Sequence, residues 1–136
     1  MKPRRISFPV MALCLCGLSL FGQDKFPVTR MTFDPSQDGF ASWYPDGKAF
    51  IYSRFSWNDS TGGNGIWKIT LGTKEPSQIF SGIAEHPKLS PDGRLIVFDS
   101  DTGSSMSIVE VGGGKPRKFL PDSILIRGGG LPCWSS

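Results

Sequence analysis

The sequence predicts an all-β fold built from repeated antiparallel four-stranded units, on three observations. A Pro-Asp-Gly turn occurs at Pro45-Asp46-Gly47 and again 46 positions later at Pro91-Asp92-Gly93, with matching apolar runs around it. A second stretch, Ile66-Trp67-Lys68-Ile69-Thr70-Leu71-Gly72, lines up 40 positions on with Met106-Ser107-Ile108-Val109-Glu110-Val111-Gly112. Glycine and proline are abundant, 17 and 11 of 136 residues, and they separate short apolar runs rather than long amphipathic ones.

Each unit reads as four strands. The first ends at Trp43 in unit one and at Leu89 in unit two. Proline then presets φ for a type I turn, aspartate bonds to the nearby backbone, and glycine takes the left-handed position that follows. Such a turn joins two antiparallel strands. Phe50 to Arg54 and Leu95 to Asp99 form the second strands. Ile66, Ile69 and Leu71, with Met106, Val109 and Val111, mark the third. Gly72 and the run Gly112-Gly113-Gly114 turn the chain into fourth strands at Gln78 to Phe80 and Lys118 to Leu120. A third unit opens at Leu131-Pro132-Cys133-Trp134-Ser135. Four strands per 40–50 residues is the pattern of a β-propeller blade. A parallel β-helix has a shorter repeat, and an immunoglobulin-type sandwich does not repeat its turn at a constant offset. Blade one spans about residues 32–80, blade two about 84–120, and a partial blade 124–136.

Ahead of the repeats lies a different kind of sequence. Met1 to Arg5 is basic, Ile6 to Phe21 is apolar and uncharged, and Gly22 precedes polar Gln23-Asp24. This is the layout of a secretory signal peptide over residues 1–22, followed by a linker over 23–31. As a helix the apolar run would rise only about 24 Å, short of a roughly 30 Å hydrocarbon core. Cys14 and Cys16 raise lipid attachment as an alternative, but Leu13 and Leu15 stand where a small residue is expected. Cleavage leaves Cys133 alone, with no partner for an internal disulfide.

Charge narrows the function classes. The net charge of +3 is carried by Lys2, Arg4 and Arg5, since no acidic residue precedes Asp24. The exported part is therefore neutral. It lacks the cation surplus that a nucleic-acid binder uses to displace phosphate counterions.

Two stretches carry a family resemblance. Ala84-Glu85-His86-Pro87-Lys88-Leu89-Ser90-Pro91-Asp92-Gly93-Arg94-Leu95-Ile96-Val97-Phe98 resembles the blade motif of TolB-like (WD-like) β-propellers. Glu110-Val111-Gly112-Gly113-Gly114-Lys115-Pro116-Arg117-Lys118-Phe119-Leu120 resembles the second half of that blade. The resemblance covers about residues 32–136. It implies an exported, non-catalytic scaffold that binds other proteins at the cell envelope. Family propellers close with more blades than two and a fraction, so it also implies a piece of a longer protein that self-associates when isolated. The same blades occur in propeller domains of secreted serine peptidases of the prolyl-oligopeptidase kind, which is the alternative.

Candidate chemistry is sparse, and no catalytic, cofactor-binding or metal-ligating residue is assigned. Asp101-Thr102-Gly103-Ser104 matches the signature of aspartic peptidases, which need two such aspartates sharing a proton. Its register places it in the hairpin between the second and third strands of blade two. Asp99-Ser100-Asp101-Thr102-Gly103 hints at calcium but lacks the later acidic positions of an EF-hand. His86, the single histidine, has no second histidine to share a metal with and reads as a packed or rim residue. No Gly-x-Ser-x-Gly elbow exists, and Gly112-Gly113-Gly114-Lys115 lacks a phosphate loop's spacing. Trp43, Trp67 and Trp134 recur at blade positions and read as inter-blade core rather than a sugar-binding platform.

Overall fold

The computed structural model describes residues 28–56, 63–73, 75–100, 105–120 and 130–135. The leader with Cys14 and Cys16, the Asp101-Thr102-Gly103-Ser104 peptidase motif, and residues 101–103 of the calcium-like stretch lie outside the described residues; Asp99 and Ser100 of that stretch are described.

Eight strands form two four-stranded antiparallel sheets, each in simple sequential order. Sheet one holds β1 (Gln37–Trp43), β2 (Ala49–Phe55), β3 (Gly65–Thr70) and β4 (Pro76–Ser81). Sheet two holds β5 (Glu85–Leu89), β6 (Leu95–Ser100), β7 (Ser105–Glu110) and β8 (Arg117–Lys118). The two sheets are a pair of blades and do not close a ring. The final strands differ from expectation: β4 is longer at both ends, and β8 is reduced to Arg117 and Lys118. Residues 130–135 carry no strand.

The Pro-Asp-Gly turns act as their chemistry dictates. Gly47 N donates to Tyr44 O at 2.9 Å and Gly93 N to Ser90 O at 2.8 Å. The two glycines sit at φ 67° and 70°, the left-handed region that other residues enter only with strain. Asp46 Oδ1 accepts from Lys48 N at 3.0 Å, and Asp92 Oδ1 from Arg94 N at 3.1 Å. In blade two the Ser90 hydroxyl also donates to Asp92, which holds that carboxylate below the usual range, with the Arg94 amide helping.

Packing follows the pleat. Alternate residues of a strand face opposite sides of the sheet. Leu89, Ile96, Phe98 and Val109 form one face of blade two and pack with Ile51 and Ile66 of blade one in a single core. Phe80 meets Phe98 with ring centroids 5.1 Å apart. Fully burying a side chain of this class contributes roughly 1.5–3 kcal/mol. The repeat offsets map those four residues onto Trp43, Phe50, Tyr52 and Ile69 of blade one. There is no preceding blade for them to meet among the described residues, yet Phe50, Tyr52 and Ile69 are buried in a second cluster with Met31 and Trp67. Chain preceding β1 covers part of that face.

The tryptophans also depart from expectation. Trp43 is 55% exposed, whereas its counterpart Leu89 is 8% exposed, because Leu89 has a blade to pack on and Trp43 has only the edge of Phe50. Trp67 lies under the Arg54 guanidinium and donates from Nε1 to Gly63 O at 2.9 Å. Trp134 is half-buried, not core, and donates from Nε1 to Lys88 O at 3.0 Å beside Phe119. One repeat earlier, Leu89 N donates to Ser42 Oγ at 3.1 Å, so each unit is tied to its predecessor at the same point.

Candidate functional site

β1 and β5 lie against one another, while β4 and β8 form the far edges of the sheets. Both of these adjacent first strands carry a β-bulge at the same place. In blade one the register slips between Gly39 and Ser42, and in blade two between Glu85 and Lys88. Phe40 and His86 occupy the two bulges at φ 56° and 50°. Both are non-glycine residues in left-handed backbone, a conformation that costs of order 1–3 kcal/mol and persists only where the surroundings hold it. Pro87 fits in the second bulge because the ladder is already interrupted there.

Neighbouring contacts hold the pair. The Phe40 and His86 rings, one from each blade, meet with centroids 4.0 Å apart and planes tilted by 56°. His86 Nδ1 lies 2.9 Å from Asp99 Oδ2, where Nδ1–H donates to the carboxylate. Asp99 is 1% exposed, and its Oδ1 has no partner among the described residues. Burial pushes its pKa above the ordinary carboxylate value; the His86 bond opposes that rise and Glu85, directly across the ladder, adds to it. The matching residue in blade one is Ser53, whose hydroxyl simply donates to Gly39 O at 3.2 Å. Blade two thus holds a buried acid where blade one manages with a neutral hydroxyl.

Beside the bulges, Arg54 organises the other wall. Its Nε and Nη2 donate to the two oxygens of Asp38 at 2.8 and 3.2 Å, a bidentate pair. Nη2 also reaches Tyr52 Oη at 3.0 Å, and Nη1 is 3.5 Å from Asp34 Oδ2. The guanidinium lies 4.7 Å from the Trp67 ring centroid. Burial pushes the Tyr52 phenol up to about 12, against the pull of Arg54. Burial alone would lower the Arg54 pKa; the bond to Asp38, Tyr52 and the charge of Asp34 raise it overall. In blade two Ser100 takes the place of Arg54, and its hydroxyl meets those of Ser105 and Ser107 at 2.8 and 2.9 Å.

Between these walls runs a cleft of about 200 Å³, lined from blade one by residues such as Phe40, Ser53 and Arg54, from the connection by Ile83 and Ala84, and from the start of β5 by Glu85. It is smaller than the roughly 300–1,000 Å³ of small-molecule sites. Phe40 and Ile83 are 51% and 43% exposed at its mouth. His86, expected as a packed or rim residue, is half-buried and anchors this site. Phe40, Arg54 and Glu85 carry no site reading in the sequence, and Asp99 has one there only as the first residue of the calcium-like stretch. The available signal was Asp99 itself, an acid closing an otherwise apolar strand, which calls for a buried partner. No group of three His, Cys, Asp or Glu among the described residues could hold a metal ion. No helix among them is long and apolar enough to cross a membrane.

Comparison with known proteins agrees with this architecture. No family model matches the chain. The Tol-Pal system protein TolB of Francisella tularensis is 33% identical over 86 residues, covering 62% of this chain and 18% of that protein. Among solved structures, TolB from Acinetobacter baumannii superposes with a TM-score of 0.57 at 30% identity, over 70% of this chain and 24% of that one. A putative TolB from Agrobacterium tumefaciens gives 0.56 at 28% identity, over 68% and 33%. An oligogalacturonate lyase in complex with manganese gives 0.54 at 19% identity, over 66% of this chain and 25% of that one, a likeness of fold alone. The chain is a distant and consistent homologue of TolB proteins and spans a minor part of their length.

Proposed function

We propose that this chain is an exported, non-catalytic propeller segment that binds another protein at the cell envelope, as part of a longer TolB-like ring. The observation that carries the reading is the Phe40–His86 ring contact. Two left-handed non-glycine residues, one per blade, are held together beside a cleft that both units help to form. Backbone strain of this kind is retained where it positions groups for a ligand. The small cleft volume suits one side chain of a larger partner. Homology to TolB proteins supports the scaffold role, and the tripartite leader supports export.

Site-specific photo-cross-linking in the producing cell tests this. A photoreactive residue at position 40 should give one discrete adduct in the envelope fraction. The same group at Leu71, exposed beyond the far end of β3, should not. Equal adducts at both positions, or none at either, would contradict the proposal. The exported chain should begin at Gln23 on N-terminal sequencing; a start at Met1 would contradict export.

A further inference from the structure

The charges around the cleft specify what enters it. Arg54 is the cation in its lining, and that charge is already committed to Asp38 and Asp34, so this group carries a net negative charge. The Glu85 carboxylate on the opposite wall makes no ion pair or side-chain hydrogen bond among the described residues. Asp99 adds a buried acid behind His86. The lining between these acids is mixed: Phe40, Ile83 and Ala84 are apolar, while Gln37, Ser53 and Asn64 are polar. A slot about the volume of one long side chain, with Phe40, Ile83 and Ala84 beside the Glu85 carboxylate, matches a side chain with an aliphatic stem and a cationic head. An aromatic face at the entrance adds a cation–π contribution.

We infer that the inter-blade cleft receives one arginine or lysine side chain of the partner protein. Its stem lies between Phe40 and Ile83, and its head group meets Glu85. The inference rests on the protein-binding reading above and adds the chemistry of the partner. It also gives the strained bulges a task. The left-handed backbone at Phe40, braced by His86 and Asp99, presents the ring at the mouth before the partner arrives. A wall ordered in advance loses less side-chain entropy on binding.

The test uses the full chain immobilised on a sensor surface and an acetylated, amidated pentapeptide with a central arginine flanked by alanines. Companion peptides carry lysine, citrulline or glutamate at the centre. Arginine and lysine peptides should bind, with citrulline about tenfold weaker or more, because one charge-assisted contact is lost. Glu85→Gln should weaken the arginine peptide by the same factor, while Glu110→Gln, on β7, should not change it. Phe40→Gly should also weaken it. Glycine accepts the φ of 56° without strain, so the fold is retained while the ring is removed. A photoreactive version of the arginine peptide should label residues 37–40 or 82–85. Equal binding of the citrulline peptide, indifference to Glu85→Gln, or labelling elsewhere would overturn the inference. A position-40 adduct in cells combined with no arginine-peptide binding would overturn the chemistry and leave the protein-binding reading standing. Loss of both would overturn the two together.

Discussion

Asp99 is the residue at which stability and site formation pull apart. Burial raises its pKa in the folded chain. A carboxyl group shifted in that direction favours folding below its unfolded pKa, and the benefit is lost as pH rises through the folded value. At neutral pH the ionised group is a cost that His86 only partly offsets. Asp99→Asn should therefore raise the thermal midpoint at pH 7, and the advantage should vanish when both proteins are measured in acid. A variant less stable than the parent at pH 7 would contradict this assignment. Little of the arrangement was legible in the sequence. His86 stands out as the single histidine, and Asp99 only as the first residue of a calcium-like stretch. Their meeting depends on a bulge that shifts His86 within its strand, and the alternation of the sequence gives no sign of it. Phe40 was hidden for the same reason, since left-handed backbone has no signature in a phenylalanine.

At the scale of the strands, legibility was much higher. The two Pro-Asp-Gly turns, the four strands per unit and the 46-residue offset all appear in the structure, because turn chemistry and period-two patterning are local. What failed depends on neighbours. Trp43 and Leu89 hold equivalent places, yet one is exposed and the other buried, since only the second has a sheet to meet. β8 stops after Arg117 and Lys118, and two cations on so short an edge discourage pairing with other strands. The blade interface should be the main source of stability. Phe98 is fully buried against Phe80 and the core of blade one, so Phe98→Ala should cost about 3–5 kcal/mol in chemical denaturation. The equivalent truncation of Trp43, mostly exposed, should cost far less. Similar losses at both positions would mean that the blades do not pack as described.

For the whole molecule, two capped blades leave apolar surface on view. Val28, Phe33 and Trp43 are exposed on the blade-one side, and Phe119 and Leu131 where residues 130–135 meet blade two. Single exposed residues of this kind are ordinary, but together with unpaired blade edges they favour association. We expect the isolated chain to self-associate in sedimentation velocity and Trp43→Lys to reduce it; a monodisperse parent chain would contradict this. Placing the cluster of strained backbone and buried acid at the inter-blade cleft makes a sharper claim, namely that these features are kept for binding rather than for folding. The most direct test measures thermal stability and position-specific capture on the same variant. Phe40→Gly relieves the left-handed strain at β1 and removes the ring at the cleft, while the His86–Asp99 bond stays in place. The account predicts a thermal midpoint equal to or above that of the parent, together with loss of arginine-peptide binding. A clear fall in the midpoint with binding retained would contradict it.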